Sequence, residues 1–399
     1  MKRLIFILVF FPLLMQAQWN YTYGDSTINE NGFCIVYTSD GNYVIGSSKK
    51  GVDSDIMTLH KVNEFGETIW HKEYNQNTEN KKIYFLSLEK TENGGFIFLG
   101  NKLINLDSKG EIKWMKPNIK GIDLILCEDK KSYLLINYTR YISYFGNLSL
   151  SRIDSVGDVI WTSYCHQRSY CLTNTSDGKY VVFGTNEHGN SSSGYWTTFD
   201  CVKINDDKEI DWFKNNGTYG IAATNTKNNG FIIAGIQHAI NKEYMSLQHI
   251  DSIGNSLWYR YYQLNSSSTD EYLSHAIETH DGGFIAIGSG VIRTDENGDT
   301  LWTRADINGK EIHQINDSSF VLVRTDIDTI TGDKNINIIK LTDNGEIAGD
   351  FIIPTPPTTA NGKLINIIDF TGRQTKVKPN LPLIYIYDDG TTEKKMIIE

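Results

Sequence analysis

The feature that most constrains this chain is a phrase that recurs seven times, and residues 279–302, THDGGFIAIGSGVIRTDENGDTLW, are its cleanest copy. Asp281, Gly282 and Gly283 supply the positive φ of a tight hairpin, and they stand between two β-prone apolar runs, 274–279 and 284–288. A second turn at 288–290 leads into 291–294, and a third at 295–298 leads into 299–302, so the phrase reads as four short antiparallel strands. The run 284–287 is apolar at every position, which fits a strand covered on both faces and not one with a wet side. Sheets stacked between similar neighbours meet that requirement.

The hairpin signal appears as DGNYVIG from Asp40, NGGFIFLG from Asn93, KKSYLLI from Lys130, DGKYVVFG from Asp177, NNGFIIAG from Asn228, DGGFIAIG from Asp281 and DSSFVLV from Asp317. The later turn, usually a Gly followed four residues on by Trp, recurs at Gly66/Trp70, Gly110/Trp114, Gly157/Trp161, Lys208/Trp212, Gly254/Trp258 and Gly298/Trp302, while the seventh, at Gly345, has Gly349 in place of Trp. The spacings of 44, 47, 51, 46, 44 and 47 residues suit one four-stranded blade each of a β-propeller. An open solenoid is the competing architecture. Trp19 to Gly24 reads like the end of a repeat without its beginning, and the seventh repeat lacks that end. The N-terminal strand is therefore expected to complete the last blade and close the ring, which removes a sheet edge. The fold class read from the sequence is all-β: a seven-bladed propeller over 19–353, closed by its N-terminal strand.

Composition agrees with this and narrows the partners. Aromatic residues make up 12% of the 399 residues, Gly is frequent, and only 7 residues are Pro. The formal net charge is -10 with no block of Lys or Arg outside the last few residues, so nucleic acid is a poor partner. Residues 1–18 carry the charged start, apolar core and small-residue end of a secretory signal peptide, and no later run is long and apolar enough to span a bilayer, so no transmembrane segment is expected. Five scattered cysteines, Cys34, Cys127, Cys165, Cys171 and Cys201, form neither a disulfide framework nor a zinc motif and read as small buried residues.

Links between the second and third strands are short in copies 2 and 6 and expanded in copies 1, 3, 4, 5 and 7, the longest being 185–200. In an up-and-down sheet these links emerge on the same face as the connections between blades, so length variation, and with it binding, is expected on one face. The aromatics of those links, Tyr141, Tyr144 and Phe145, Tyr195, Trp196 and Phe199, and Tyr244, suit a sugar or a peptide; the competing reading anchors them on the blade edges. No residue stands out as catalytic. Nor is a metal or cofactor expected: Asp326, Asp328 and Asp333 lack the alternation and closing Glu of an EF-hand loop, and the histidines have no HExxH spacing. The Gly-x-x-x-Trp turns are similar to the tryptophan-docking repeats of quinoprotein propellers, but six such Trp residues read as packing between blades where a cofactor needs one site.

Residues 354–360, PTPPTTA, hold three of the prolines and form a linker to a β-rich segment, 361–399. In it the run 368–373, IDFTGR, the run 383–391, LIYIYDDGT, and the closing 394–398, KKMII, resemble the C-terminal sorting domain of type IX secretion cargo in Bacteroidetes. The resemblance implies a small β-sandwich-like domain with Asp369, Gly372, Arg373, Tyr385, Asp389, Gly390 and Lys395 as its motif residues. It also implies the type IX machinery as partner, and a secreted or surface-attached product after export through the Sec pathway and outer membrane. The seven repeats likewise look like the Asp-Gly-Gly propeller repeats of such secreted proteins, which implies a fold and not an activity. The leading functional expectation is a non-enzymatic propeller binding a glycan, peptide or protein on its long-loop face; the alternative is a secreted carbohydrate-active hydrolase or lyase with carboxylates in the central channel.

Overall fold

The computed structural model describes residues 20–23, 29–51, 55–74, 83, 86–138, 148–164, 168–190, 194–215, 219–239, 242–265, 268–328, 332–348, 364–368, 373–376, 383–387 and 392–395. They form seven four-stranded antiparallel sheets and one three-stranded sheet, and no helix is present among them. Within each of the first six blades the strands follow chain order, as in Glu30–Tyr37, Tyr43–Lys49, Ile56–Val62 and Thr68–Tyr74 of blade 1. The first strands, Glu30–Tyr37, Ser87–Lys90, Gly121–Leu126, Arg168–Asn174, Tyr219–Asn225, Leu273–Glu278 and Glu311–Asn316, neighbour one another in sequence order and back to the start. They are the innermost strands, and the ring they make is closed.

The seventh sheet has the order expected of a closed ring. Glu311–Asn316, Ser319–Ile327 and Lys334–Thr342 are followed at the outer edge by Asn20–Tyr23 from the other end of the chain, paired Asn20 to Ile339 through Tyr23 to Ile336. Asn337 adds side-chain hydrogen bonds from Nδ2 to Asn20 Oδ1 (2.7 Å) and Thr22 Oγ1 (3.1 Å). Trp19 lies outside the described residues.

The core is divided into seven clusters, one per junction between blades, and this explains the doubly apolar strands. Phe284 and Ala286 join a cluster with Ile232, Ala234 and Leu247 of blade 5, whereas Ile285 and Ile287, one residue out of phase, join Phe320, Leu322 and Ile339 of blade 7. Successive side chains of a strand point to opposite faces, and here both faces meet another sheet.

The turn residues belong to this scaffold. Asp281 Oδ1 accepts from Thr279 Oγ1 at 2.6 Å and Asp281 Oδ2 from Arg293 Nη2 at 2.5 Å, with Arg293 buried on the third strand. Asp40 and Asp177 hold the buried Lys61 and Lys203 in the same way, at 2.7 and 2.9 Å. Gly282 takes φ 89, as the hairpin requires. The Trp residues pack across junctions: a Cβ on Gly298 would stand 2.9 Å from the Trp258 ring, and Trp258 Nε1 donates to the Glu296 carbonyl at 3.0 Å. Blade 4 carries Lys208 at the glycine position with φ 68, its Nζ 5.8 Å from the Trp161 ring. At the seam Tyr21 takes up the space over Gly66. Tyrosines fasten three of the junctions: Tyr23 donates to the Gly66 carbonyl at 2.6 Å, as Tyr74 does to Gly110 (3.0 Å) and Tyr262 to Gly298 (2.7 Å).

One loop expectation is corrected. Residues 185–200 are largely a continuation of a hairpin, Tyr180–Asn190 against Gly194–Ile204, paired out to Asn190 with Gly194. Phe199 is core, stacked on Phe183 at 6.2 Å and closed over by Gly220.

The chain divides into two compact units between Gly349 and Asp350. In the second, Leu364–Ile368, Leu383–Tyr387 and Thr392–Lys395 form an antiparallel sheet in chain order. Tyr385 is buried in its middle strand and Arg373 is exposed. Lys395 ends the third strand, and Asp369, Gly372, Asp389 and Gly390 lie outside the described residues.

Candidate functional site

An innermost strand has one edge on the central channel, so its outward N–H groups have no ladder partner and must find an acceptor elsewhere. The chain supplies one from the preceding blade. Cys34, Ser87, Asp123, Cys171, Ala222, His275 and Glu311 occupy equivalent register positions on the seven innermost strands. Ser87 Oγ accepts from Leu124 N at 3.3 Å, Asp123 Oδ2 from Leu172 N at 2.8 Å, His275 Nδ1 from Ile312 N at 3.4 Å, and Glu311 Oε2 from Ile35 N at 2.9 Å. Blade 7 is thereby stitched to blade 1 by a carboxylate as well as by the shared sheet.

The same channel wall holds titratable groups whose environments push them apart. Glu89 is pushed up to about 8 by desolvation and by the like charges of Asp123 and Glu311, so it is protonated at neutral pH. Asp123 rises to about 6, because burial outweighs the hydrogen bonds from Leu172, Ser87 and Leu124. Burial acts to raise Glu311 too, but His313, bonded to Oε1 at 2.7 Å, and His275 outweigh it and hold Glu311 below its ordinary value. His275 falls to about 4 through desolvation, with Glu311 partly offsetting it, and its ring lies 5.5 Å from that of His313. Cys34 and Cys171 are buried thiols pushed well above their usual range by desolvation, and with Cys127 they are free. Cys165 lies outside the described residues. No group of three His, Cys, Asp or Glu residues is placed to hold a metal ion among the described residues.

Where the innermost strands of blades 1 and 7 begin, a cavity of about 820 Å³ opens. Its walls come from the two sets of links that share a face: Lys50, Asp55, Ser289, Thr325 and Lys334 between second and third strands, and Asn29, Asn31, Tyr272, Asn308 and Lys310 at the entries to innermost strands. Asn29 holds two walls together, its carbonyl accepting from Lys50 N and its Oδ1 from Lys334 N, both at 2.9 Å. Thr325 Oγ1 accepts from Gly32 N at 3.1 Å, Asp55 Oδ2 from Ile83 N at 2.8 Å, and Ser289 Oγ from Tyr272 N at 3.1 Å. Asn31, Asn308, Lys50, Lys310 and Lys334 also line the space, with Lys310 Nζ 5.7 Å from the Tyr272 ring.

Of the aromatics picked out in the sequence, Phe199 and Tyr244 are not among the residues that line this cavity. Tyr141 and Tyr144 lie outside the described residues. Tyr195 and Trp196 are on the strand Gly194–Ile204 of blade 4, opposite Gly189 and His188. Tyr244 is on Lys242–Ile250 of blade 5, opposite Gln237, with its ring 5.6 Å from Tyr261 and Lys242 Nζ 5.4 Å above it. Aromatic content drew the sequence reading to blades 3 to 5, whereas the lining of this cavity comes mainly from blades 1, 6 and 7. The lysines that bound the expanded links of blades 1 and 7, Lys50 and Lys334, were the available signal.

No protein-family model matches the chain, and no curated protein matches it. Among solved structures it is similar to Sqt1 from Chaetomium thermophilum, at 8% identity with 96% of this chain and 98% of that one covered and a TM-score of 0.52. A second structure of Sqt1 from the same organism gives 9%, 96%, 99% and 0.50. A protein of unknown function from Dyadobacter fermentans is 9% identical, with 82% of this chain and 98% of that one covered and a TM-score of 0.46. At such identities the likeness to Sqt1 is one of fold.

Proposed function

We propose that this chain is an exported, non-enzymatic propeller that binds a glycan, peptide or protein on its long-loop face and is delivered by type IX secretion machinery through its C-terminal segment. The observation that carries the binding reading is the cavity of about 820 Å³ built from the links of that face, within the roughly 300–1,000 Å³ usual for ligand sites. Its polar groups converge from blades distant in sequence, and the side-chain amides of Asn31 and Asn308 make no hydrogen bond among the described residues. Glycan and peptide arrays probed with the purified chain test this. Asn308→Trp plugs the cavity from an exposed position and should abolish capture, whereas Asn297→Trp, on a turn of the opposite face, should leave it intact. Capture indifferent to Asn308→Trp would refute the assignment.

The delivery reading rests on the sequence resemblance of 361–399. A chain lacking those residues should fold with an unchanged propeller melting transition and accumulate in the periplasm; surface delivery of the truncated chain would overturn it. A hydrolase reading is supported by one observation: Glu89 is held protonated in the same channel in which Glu311 is held ionised, an acid and base pairing of the type used in glycoside hydrolysis. Turnover of any array saccharide, lost in Glu89→Gln, would favour it.

A further inference from the structure

We infer that the ligand of the long-loop cavity is an acidic oligosaccharide, with its carboxylates taken by Lys50, Lys310 and Lys334. This rests on the binding role assigned above to the long-loop face. The chain carries a formal net charge of -10, yet among the described residues three lysines and a single carboxylate, Asp55, line this space. Asp55 already receives the Ile83 amide. Six lysines elsewhere, Lys49, Lys61, Lys72, Lys116, Lys179 and Lys203, each hold a carboxylate within 2.9 Å. Lys50, Lys310 and Lys334 hold none among the described residues, although the sequence has acidic residues to spare. Gathering unpaired like charges around a cavity is unfavourable unless an anion is to be bound there.

The remaining lining selects a sugar over an acidic peptide. Peptides are held through an open strand edge or by apolar anchors in a groove, whereas this cavity sets amides, hydroxyls and ammonium groups beside an apolar wall of Phe33, Ile83, Tyr272 and Ile327, the mixture that a sugar with its polar rim and apolar ring face requires. Tyr272 and Phe33 supply the aromatic surface on which a pyranose ring packs. Lys310 Nζ lies 5.7 Å from the Tyr272 ring, so one cation and one stacking face are presented together. Asn31 and Asn308 add donors and acceptors that match ring hydroxyls.

Calorimetric titration of the full chain with a galacturonic acid tetramer and with a neutral galactose tetramer tests the inference. The acidic tetramer should bind at least tenfold more tightly. Its advantage should disappear at about 1 M salt, where the Debye length falls to about 3 Å. Single Lys→Gln changes at 50, 310 and 334 should each weaken it by roughly tenfold, the size of one charge-assisted hydrogen bond, with Lys→Arg restoring most of the loss. Equal binding of the two tetramers, or a Lys50→Gln/Lys310→Gln/Lys334→Gln chain that keeps full affinity for the acidic one, would overturn it. So would tighter binding of a tetraglutamate peptide than of the acidic tetramer. In each of those results, loss of the remaining binding in Asn308→Trp would show that the cavity is still the binding site and that only its ligand class was misassigned; retention in Asn308→Trp would remove both conclusions. An unchanged melting temperature in every variant separates lost binding from lost fold.

Discussion

Closure of the ring by the N-terminal strand makes a quantitative prediction at Tyr23. Its hydroxyl donates to the Gly66 carbonyl at 2.6 Å, and its ring joins the cluster of Ile35, Tyr43, Ile336 and Ile338 at the junction of blades 7 and 1. Tyr262 makes the equivalent bond to Gly298 at 2.7 Å inside a blade whose four strands are contiguous in sequence. Tyr23→Phe should cost about 1 kcal/mol for the hydrogen bond. Tyr23→Ala should cost about 3 kcal/mol, since a half-buried ring is lost as well. In a propeller of this size 1 kcal/mol moves the melting temperature by about 2 °C, so the alanine variant should melt about 6 °C lower, much as Tyr262→Ala does. Scanning calorimetry of the two alanine variants side by side is the assay. If Tyr262→Ala lowers the transition and Tyr23→Ala does not, the strand Asn20–Tyr23 contributes nothing to the ring and the closure argument fails.

Two further perturbations probe the scaffold and the channel. Asp281→Asn removes the charge that Arg293 holds, and because Arg293 is buried while Asp281 is largely exposed to water, the loss should be roughly 2 kcal/mol by denaturant unfolding, below the figure for a pair buried on both sides; a shift under about 0.5 kcal/mol would show that the pair is dispensable. Glu89 is raised in the fold to about 8, so between the ordinary carboxylate range and pH 8 the folded state binds the extra proton and stability falls as pH rises. Glu89→Gln should therefore raise the melting temperature at pH 8 and leave it nearly unchanged at pH 4.5, and the reverse order would contradict the assigned environment.

The architecture was legible because its determinants are local. Asp40, Asp177 and Asp281 at their turns, and Gly298 with Trp302 at theirs, sit within a few residues of the strands they organise, so periodicity and turn chemistry expose them without knowledge of the fold. Even the seam could be read, since a repeat missing its end and an end missing its repeat are both visible in one dimension. Where local pattern is ambiguous the reading erred: 185–200, with its Gly and Ser residues, scans as a loop, and only pairing across the blade shows most of it to be a ladder with Phe199 in the core. The site depends on long-range closure. Lys50 and Lys334 meet because Asn29 joins residue 50 to residue 334 across the seam, and the acidity of Glu89 is set by burial and by Asp123 and Glu311 on other blades. The sequence by itself determined the repeat, the blade and the closed ring, through patterns that repeat within one blade's length. Tertiary structure decided which side chains face the channel and the cavity, because charge and desolvation act through space between residues hundreds of positions apart.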